Sequence, residues 1–90
     1  MDFRLKVFYT VAIRLNFTKA AAELYISQPA VSKHIQELEE TYKTKLFERN
    51  GSKIALTPAG HLLLQHTKSI FDIYREIEFD MSSFVTKRQG

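Results

Sequence analysis

The feature that most constrains this chain is its last third, where a helical pattern continues without a break. From Pro58 to about Val85 no helix-breaking residue follows Gly60. The sequence therefore predicts a helix of about 28 residues, or about 42 Å at ~1.5 Å per residue. The 57 residues before it would fold into a domain only about 25 Å across. Much of the predicted helix must therefore extend beyond that domain.

Apolar residues continue along this helix past the point where the domain could cover them. We call the repeating set the long-helix stripe; it consists of Leu63, Ile70, Ile77 and Phe84 at intervals of seven, with Tyr74 and Met81 between them. His66 and Thr67 interrupt the stripe near its start. Its first half could pack on the first helix of the same chain, but the rest has nothing of its own to pack on. We therefore expect a homodimer with these six residues at the interface.

The N-terminal helix, predicted from Phe3 to about Leu15, is more apolar than a surface helix needs to be. It has two stripes on nearly opposite sides: Leu5, Phe8, Tyr9 and Ala12 on one, and Phe3, Val7 and Val11 on the other. Because a surface helix needs only one apolar stripe, we expect a partner surface to cover the second.

The next two predicted helices are separated by a very short connection. Thr18 is a favourable N-cap for a helix that runs to about Tyr25. Ser27 is a favourable N-cap for a third helix, with Pro29 in its first turn. Two helices joined so closely must cross at a steep angle, which predicts a helix-turn-helix.

The third helix divides into a core face and a polar face. Helical spacing predicts the core stripe Val31, Ile35, Leu38 and Tyr42. The opposite face is polar in its first two turns and becomes acidic beyond them, at Glu37, Glu39 and Glu40. Only the N-terminal half of this helix could approach a phosphate backbone without bringing carboxylates against it.

A short hairpin is predicted between the third helix and the long one. Residues 46–49 and 53–56 form two strands around Asn50-Gly51, the pair that favours a type I′ turn. Arg49 and Lys53 flank this turn, so its tip is basic. Thr57 and Pro58 then supply the N-cap and the first residue of the long helix.

The charge is unevenly distributed along the chain. Thirteen Lys+Arg against ten Asp+Glu give a net charge of +3; residues 1–57 hold nine basic and six acidic side chains, and residues 58–90 hold four of each. The surplus of positive charge in the first part favours a polyanionic partner.

Several classes of protein are excluded or disfavoured. The chain has no cysteine, which excludes a disulfide framework, a thiolate zinc site and a cysteine nucleophile. No apolar run approaches the ~20 residues that cross a bilayer, and no signal peptide is evident, so we expect a cytoplasmic protein. The sequence lacks a Gly-rich phosphate loop, a serine nucleophile elbow and histidines at metal-ligand spacing. We expect no enzyme activity, no metal and no cofactor.

Five spaced motifs occur in one order: FTKAA at 17–21, SQPAVSKHI at 27–35, LE at 38–39, LFER at 46–49 and LTPAG at 56–60. Together they closely resemble the DNA-binding domain of LysR-type transcriptional regulators, in register over about residues 3 to 66. The resemblance implies a mainly α fold, with a winged helix-turn-helix of three helices and a two-stranded wing in residues 1–57. A linker helix that dimerises follows in residues 58–90.

The resemblance also implies which residues contact DNA. The positions that contact bases match Gln28, Pro29, Ser32 and Lys33, and these side chains have suitable donors, acceptors and apolar edges. The positions that contact the DNA backbone match Thr18, Lys19, Ser27, His34, Gln36, Arg49 and Lys53. For His34 a surface role, and for Arg49 an ion pair with Glu48 or a helix C-terminus, stay open as alternatives.

Two departures from the family pattern bear on this assignment. The family often has a glycine near the end of the third helix, where this chain has Tyr42-Lys43-Thr44; we expect a differently shaped helix end. The family's wing is also frequently richer in arginine, so insertion into the minor groove would depend on Lys53 or Arg49.

The family further implies a dimer on an AT-rich inverted repeat, with a tetramer for the full-length protein. It implies a small-molecule effector bound by a C-terminal domain, which is absent from these 90 residues. We therefore expect an excised DNA-binding fragment or a naturally short protein. Two other functions stay open: a module that binds an acidic protein, and a DNA-binding protein that is indifferent to sequence.

Overall fold

The computed structural model describes residues 2–89, and the side chains of residues 2–85. The elements are α1 (Phe3–Arg14), α2 (Phe17–Leu24), α3 (Gln28–Tyr42), β1 (Phe47–Asn50), β2 (Lys53–Leu56) and α4 (Pro58–Gln89). The predicted order of three helices, a hairpin and a long helix is confirmed.

The N-caps of the first three helices are Asp2, Asn16 and Ser27. The prediction of Ser27 is confirmed, because its Oγ accepts the N–H of Ala30. The prediction of Thr18 is wrong. Asn16 Oδ1 accepts the N–H of Lys19 at 2.8 Å, so α2 begins at Phe17 and Thr18 lies in its first turn. Asparagine is the stronger N-cap of the two.

Each of these helices ends at a residue in the left-handed conformation: Leu15, Tyr25 and Lys43. Lys43, with φ 54° and ψ 40°, stands where the family often has glycine, and its N–H donates to Glu39 O. The side chain thus tolerates the conformation that a glycine would adopt, although this costs about 1 kcal/mol. A helix end shaped differently from that of the family stays a prediction.

The core is built around α1, which contacts α2, α3 and α4. Val7, Phe8 and Val11 are fully buried, so the other helices of the same chain cover residues from both apolar stripes. The expectation that the second stripe needs a partner surface is therefore wrong at Val7 and Val11, while Phe3 of the same stripe is 43% exposed. Helical spacing predicts that a face is covered but not by which surface, and α1 packs against three helices of its own chain.

The core stripe predicted for α3 is confirmed at Val31, Ile35 and Leu38, which are buried. Tyr42 is 51% exposed, and here the prediction is wrong. Tyr42 is the last residue of α3, where the helix has passed the centre of the core.

The wing is an antiparallel pair in which Phe47 lies opposite Leu56 and Asn50 opposite Lys53. Because Asn50 is part of the ladder, the turn consists of Gly51 and Ser52. Gly51 has a φ of 63°, while Asn50 and Ser52 are not among the positive-φ residues. A glycine at the first central position is typical of type II′, so the predicted type I′ turn at Asn50-Gly51 is wrong.

The long helix α4 has 32 residues and gives the molecule a longest dimension of 57 Å, against 25 and 20 Å across. Thr57 caps it as predicted, since its Oγ1 accepts the N–H of Gly60 at 3.0 Å. Leu63 packs on the core of its own chain, and Thr67 is completely buried. Thr67 therefore belongs to the packed face and does not interrupt it.

Candidate DNA-binding surface

A groove of about 600 Å³ separates the outer face of α3 from the wing. Ser32 and Gln36 line one side, and Glu48 and Arg49 of β1 line the other. Phe17, at the start of α2, lies at its edge. The structure therefore brings three regions that are distant in sequence to one side of the molecule.

The four residues predicted to contact bases lie on the N-terminal half of α3. Gln28, Pro29 and Lys33 are exposed, and Ser32 is partly exposed. Gln28 Nε2 donates to Ser32 Oγ at 3.2 Å, one turn further on, so these two side chains share a face. At 100° per residue Pro29 and Lys33 lie beside them, which makes a compact polar patch.

The residues predicted to contact the DNA backbone at helix N-termini are accessible. Thr18 and Lys19 are exposed in the first turn of α2, where the first main-chain N–H groups have no partner within the helix. The N–H of Lys19 is already bonded to Asn16 Oδ1, so its side chain is the group available to a phosphate. Ser27 is exposed as well; its oxygen accepts the N–H of Ala30 at 3.2 Å, and its hydroxyl hydrogen can still be donated.

Arg49 has a contact that the sequence did not predict. Its guanidinium lies over the ring of Phe17, 5.0 Å from the centroid, in a cation–π arrangement. Within the part of the chain whose side chains are described, no ion pair joins it to Glu48. The Phe17 ring therefore holds the guanidinium at the rim of the groove. No local signal reveals this contact, because the two residues are 32 positions apart.

The other predicted residues differ in their surroundings. Gln36 and Lys53 are exposed. His34 is partly buried against α1: its ring meets that of Phe3 edge-on at 5.5 Å, and its Nδ1 lies 3.5 Å from Glu37 Oε1. A phosphate contact by His34 stays a prediction.

Some basic side chains of the first three helices are ion-paired and others are not. Arg14 pairs with Glu23 at 2.6 Å. Arg4 pairs with Asp2 at 3.0 Å, and their hydrogen bond lowers the pKa of Asp2 and raises the pKa of Arg4. In contrast, Lys19 and Lys33 form no ion pair with any of the described side chains. Lys19 on α2 and Lys33 on α3 are therefore unpaired cations on the two helices that border the groove.

Metal sites and membrane-spanning helices are absent from the part of the chain that the structure describes. No group of three or more His, Cys, Asp or Glu side chains there could hold a metal ion, and none of its helices is long and apolar enough to cross a membrane.

Comparison with known proteins decides the family. Residues 3–61 match the family described as bacterial regulatory helix-turn-helix protein, lysR family. This match covers well over half of the chain. The chain belongs to the LysR family.

Two regulators illustrate how similar this LysR-family chain is to its relatives. It is 41% identical over 87 residues to the RuBisCO operon transcriptional regulator of Allochromatium vinosum, which covers 97% of the chain. It is 42% identical to the transcriptional regulator CitR of Bacillus subtilis, with 100% of the chain covered. The chain spans only 29% and 30% of the lengths of these two proteins.

Solved structures agree with the winged helix-turn-helix followed by a long helix. The complex of the BenM DNA-binding domain with catB site 1 DNA has a TM-score of 0.85 at 32% identity, covering 94% of this chain and 96% of that one. The complex of the CbnR DNA-binding domain with DNA has a TM-score of 0.82 at 32% identity, covering 94% and 99%. The chain thus carries the helix-turn-helix domain of a LysR-family transcriptional regulator.

Proposed function

We propose that this LysR-family domain binds double-stranded DNA sequence-specifically, with the N-terminal half of α3 in the major groove. The observation that carries the proposal is the division of α3. Its first two turns present an exposed polar and cationic patch, while Glu37 and Glu40 follow in its second half. A helix that uses its N-terminal residues to contact bases needs this distribution of charge. The likeness to the DNA complexes of BenM and CbnR supports the same orientation.

Within this arrangement the four base-contacting residues have distinct tasks. Gln28 can form hydrogen bonds with N6 and N7 of adenine, and Lys33 can donate to O6 and N7 of guanine. The Ser32 hydroxyl can bond to either base. Pro29 offers an apolar edge to a thymine methyl group. The contacts to phosphates fix the register of the protein without specifying sequence; they are assigned to Thr18, Lys19, Ser27, His34, Gln36, Arg49 and Lys53.

We also propose that the domain binds as a dimer through the outer part of α4, on an AT-rich inverted repeat. Ile77 and Met81 of the long-helix stripe are 51% and 58% exposed, and Ile73 beside them is 55% exposed. A two-fold dimer through this surface would present two α3 helices to two related half-sites. In a longer protein, a C-terminal domain would add effector binding and tetramer formation.

The first experiment is a selection from random duplex DNA at ~150 mM salt, the range where non-specific binding is weakened. We expect enrichment of a two-fold-related sequence. Retention of DNA without enrichment would indicate a binder indifferent to sequence. No retention at any salt concentration would favour an acidic protein partner and contradict the proposal.

Point variants then separate base contacts from phosphate contacts. Gln28→Ala and Lys33→Ala should each weaken binding to the selected site by about 5- to 150-fold, with a smaller effect on random DNA. Lys19→Ala, which removes a cation of the same kind as Lys33→Ala, should weaken both duplexes equally. Equal losses on both duplexes for Lys33→Ala would contradict its assignment to a base.

A further inference from the structure

One carboxylate of α3 is directed away from solvent and into the start of the wing. Glu39 belongs to the acidic half of the helix, but its side chain is only 13% exposed. Its Oε2 accepts the main-chain N–H of Leu46 at 2.8 Å. Leu46 is buried and immediately precedes β1. A single side chain therefore joins α3 to the residue from which the wing begins.

The second strand of the wing is tied to the same place. Thr57, which follows β2, donates its N–H to Leu46 O at 3.1 Å. Its hydroxyl donates to Lys45 O at 2.7 Å. We call Lys45, Leu46 and Thr57 the wing base. The bond from Glu39 to Leu46 is thus a polar link between α3 and the base of both strands.

A small tilt of the wing at its base produces a large displacement of the wing tip. From Leu46 to Gly51 the chain advances five residues, or about 17 Å at ~3.4 Å per residue. A tilt of about 10° at the base would displace the tip by about 3 Å, a distance that exceeds the tolerance of a hydrogen bond or ion pair. The angle between α3 and the wing therefore decides whether Lys53 can meet a phosphate while α3 occupies the major groove.

We propose that Glu39 is a positioning residue for DNA binding: its bond to Leu46 fixes the wing relative to α3. This inference rests on the DNA-binding function proposed above. Glu39 also lines the groove between α3 and the wing, and its Oε1 lies 3.7 Å from Lys45 Nζ. Loss of the carboxylate would leave Lys45 unpaired, and this change in charge by itself favours DNA. Removing the side chain should therefore weaken binding even though it removes an unfavourable charge. A fall in DNA affinity would therefore indicate positioning, because a purely electrostatic effect of the lost charge would raise the affinity.

The test compares variants on the selected duplex by fluorescence anisotropy. Glu39→Ala removes both the charge and the hydrogen bond, and we expect affinity to fall about 10-fold or more. Glu39→Gln removes the same charge but keeps an amide oxygen for the Leu46 N–H; we expect affinity within about 3-fold of the unmodified chain. Glu40→Ala, at an exposed neighbour, removes the same charge without this contact and should leave affinity unchanged or slightly higher.

A double-mutant comparison tests whether the effect passes through the wing. Lys53→Ala should weaken binding in the unmodified chain and in Glu39→Gln, but have little further effect in Glu39→Ala. If Glu39 had only a structural role, Lys53→Ala would weaken DNA binding by the same factor in the unmodified chain, in Glu39→Gln and in Glu39→Ala. Circular dichroism at the binding temperature checks that each variant is folded. If Glu39→Ala does not fold, Glu39→Asp replaces it; this variant keeps the charge but is too short to reach Leu46, and it should also bind more weakly.

The outcomes distinguish this inference from the function on which it rests. If the unmodified chain binds no duplex, the proposed function fails and the inference with it. If the chain binds DNA but Glu39→Ala, or Glu39→Asp in its place, binds as tightly as Glu40→Ala, only the positioning role is overturned.

Discussion

The two halves of α4 have similar apolar repeats but very different surroundings. In the inner half, residues 58–71, Leu63 packs on the core, Thr67 is completely buried and the ring of Phe71 lies 4.7 Å from that of Tyr9. In the outer half, residues 72–89, Ile77 is 51% exposed and lies beyond the reach of the core. A seven-residue repeat thus specifies an apolar face without specifying which surface covers it.

The helix α4 also has two apolar faces that point in different directions. At 100° per residue, the direction of Leu63, Thr67 and Phe71 differs by about 110° from that of the exposed residues Leu62, Ile73 and Ile77. The first face packs within the chain. The second begins at the wing end of the helix and continues outward. The long-helix stripe lies between these two directions, so its members divide between the core and the proposed dimer interface.

The largest effect should come from the outer half. Ile77→Ser removes an exposed apolar side chain from each copy, and we expect the dimer to lose about 3 kcal/mol, or roughly 100-fold in dissociation constant. Sedimentation velocity over a range of concentrations measures this. Glu76→Ser, on a different side of the helix, is the control and should change nothing. A dissociation constant that Ile77→Ser leaves unaltered would contradict the interface.

The second-largest effect is expected at Gly60, at the start of the inner half of α4. A Cβ on Gly60 would lie within 2.9 Å of Leu56 Cδ2 and even closer to Leu46 O. We expect Gly60→Ala to lower the free energy of unfolding by about 2 kcal/mol, because overpacking exceeds the gain of about 1 kcal/mol in helix propensity.

Urea denaturation measures the effect of Gly60→Ala. Gly51→Ala is the matched control, since a Cβ there would meet nothing within 4 Å and would cost about 1 kcal/mol through the left-handed backbone alone. If Gly60→Ala is more stable than the unmodified chain, the gain in helix propensity exceeds the cost of overpacking. The inner half of α4 would then be able to move away from Leu46 and Leu56.

Two phenylalanines, one in each half of α4, should differ in how much they contribute to stability. Phe71→Ala removes the ring contact with Tyr9 and should cost about 1.5 kcal/mol of stability. Phe79 is 76% exposed, so Phe79→Ala should change stability by less than about 0.5 kcal/mol. Both variants are made in the Ile77→Ser background, so that dimer formation does not contribute to thermal unfolding. Equal costs would mean that the outer half also folds against its own chain.

The smallest effect is expected at Thr67, whose hydroxyl donates to Leu63 O within the same helix at 2.8 Å. That carbonyl is already positioned to accept the helical N–H of Thr67, so Thr67→Val should leave it satisfied. We expect chemical denaturation to show a change of less than about 0.5 kcal/mol, in the stabilising direction. A decrease in the free energy of unfolding by more than about 1 kcal/mol would show that the hydroxyl makes a stabilising contact outside its own helix.

Several features follow from the sequence alone: the element order, the caps at Ser27 and Thr57, most of the core face of α3 and the resemblance to the family. The caps and the core face depend on residues three or four positions apart, whose relative positions a helix fixes. The errors at Thr18 and at the hairpin turn were also local: the N-cap lies two residues before the predicted one, and the turn lies one residue after its predicted position.

Which apolar faces are covered within the chain depends on the tertiary structure. The packing of the helices buries Val7 and Val11 of the second stripe of α1, includes Thr67 in the packed face of α4 and leaves Tyr42 exposed. The tertiary structure also brings Arg49 over Phe17 and Glu39 to the wing base. The sequence could not predict these contacts, because they join residues from different elements. Their distances depend on how whole helices and strands pack, and no repeat or cap within a single element contains that information.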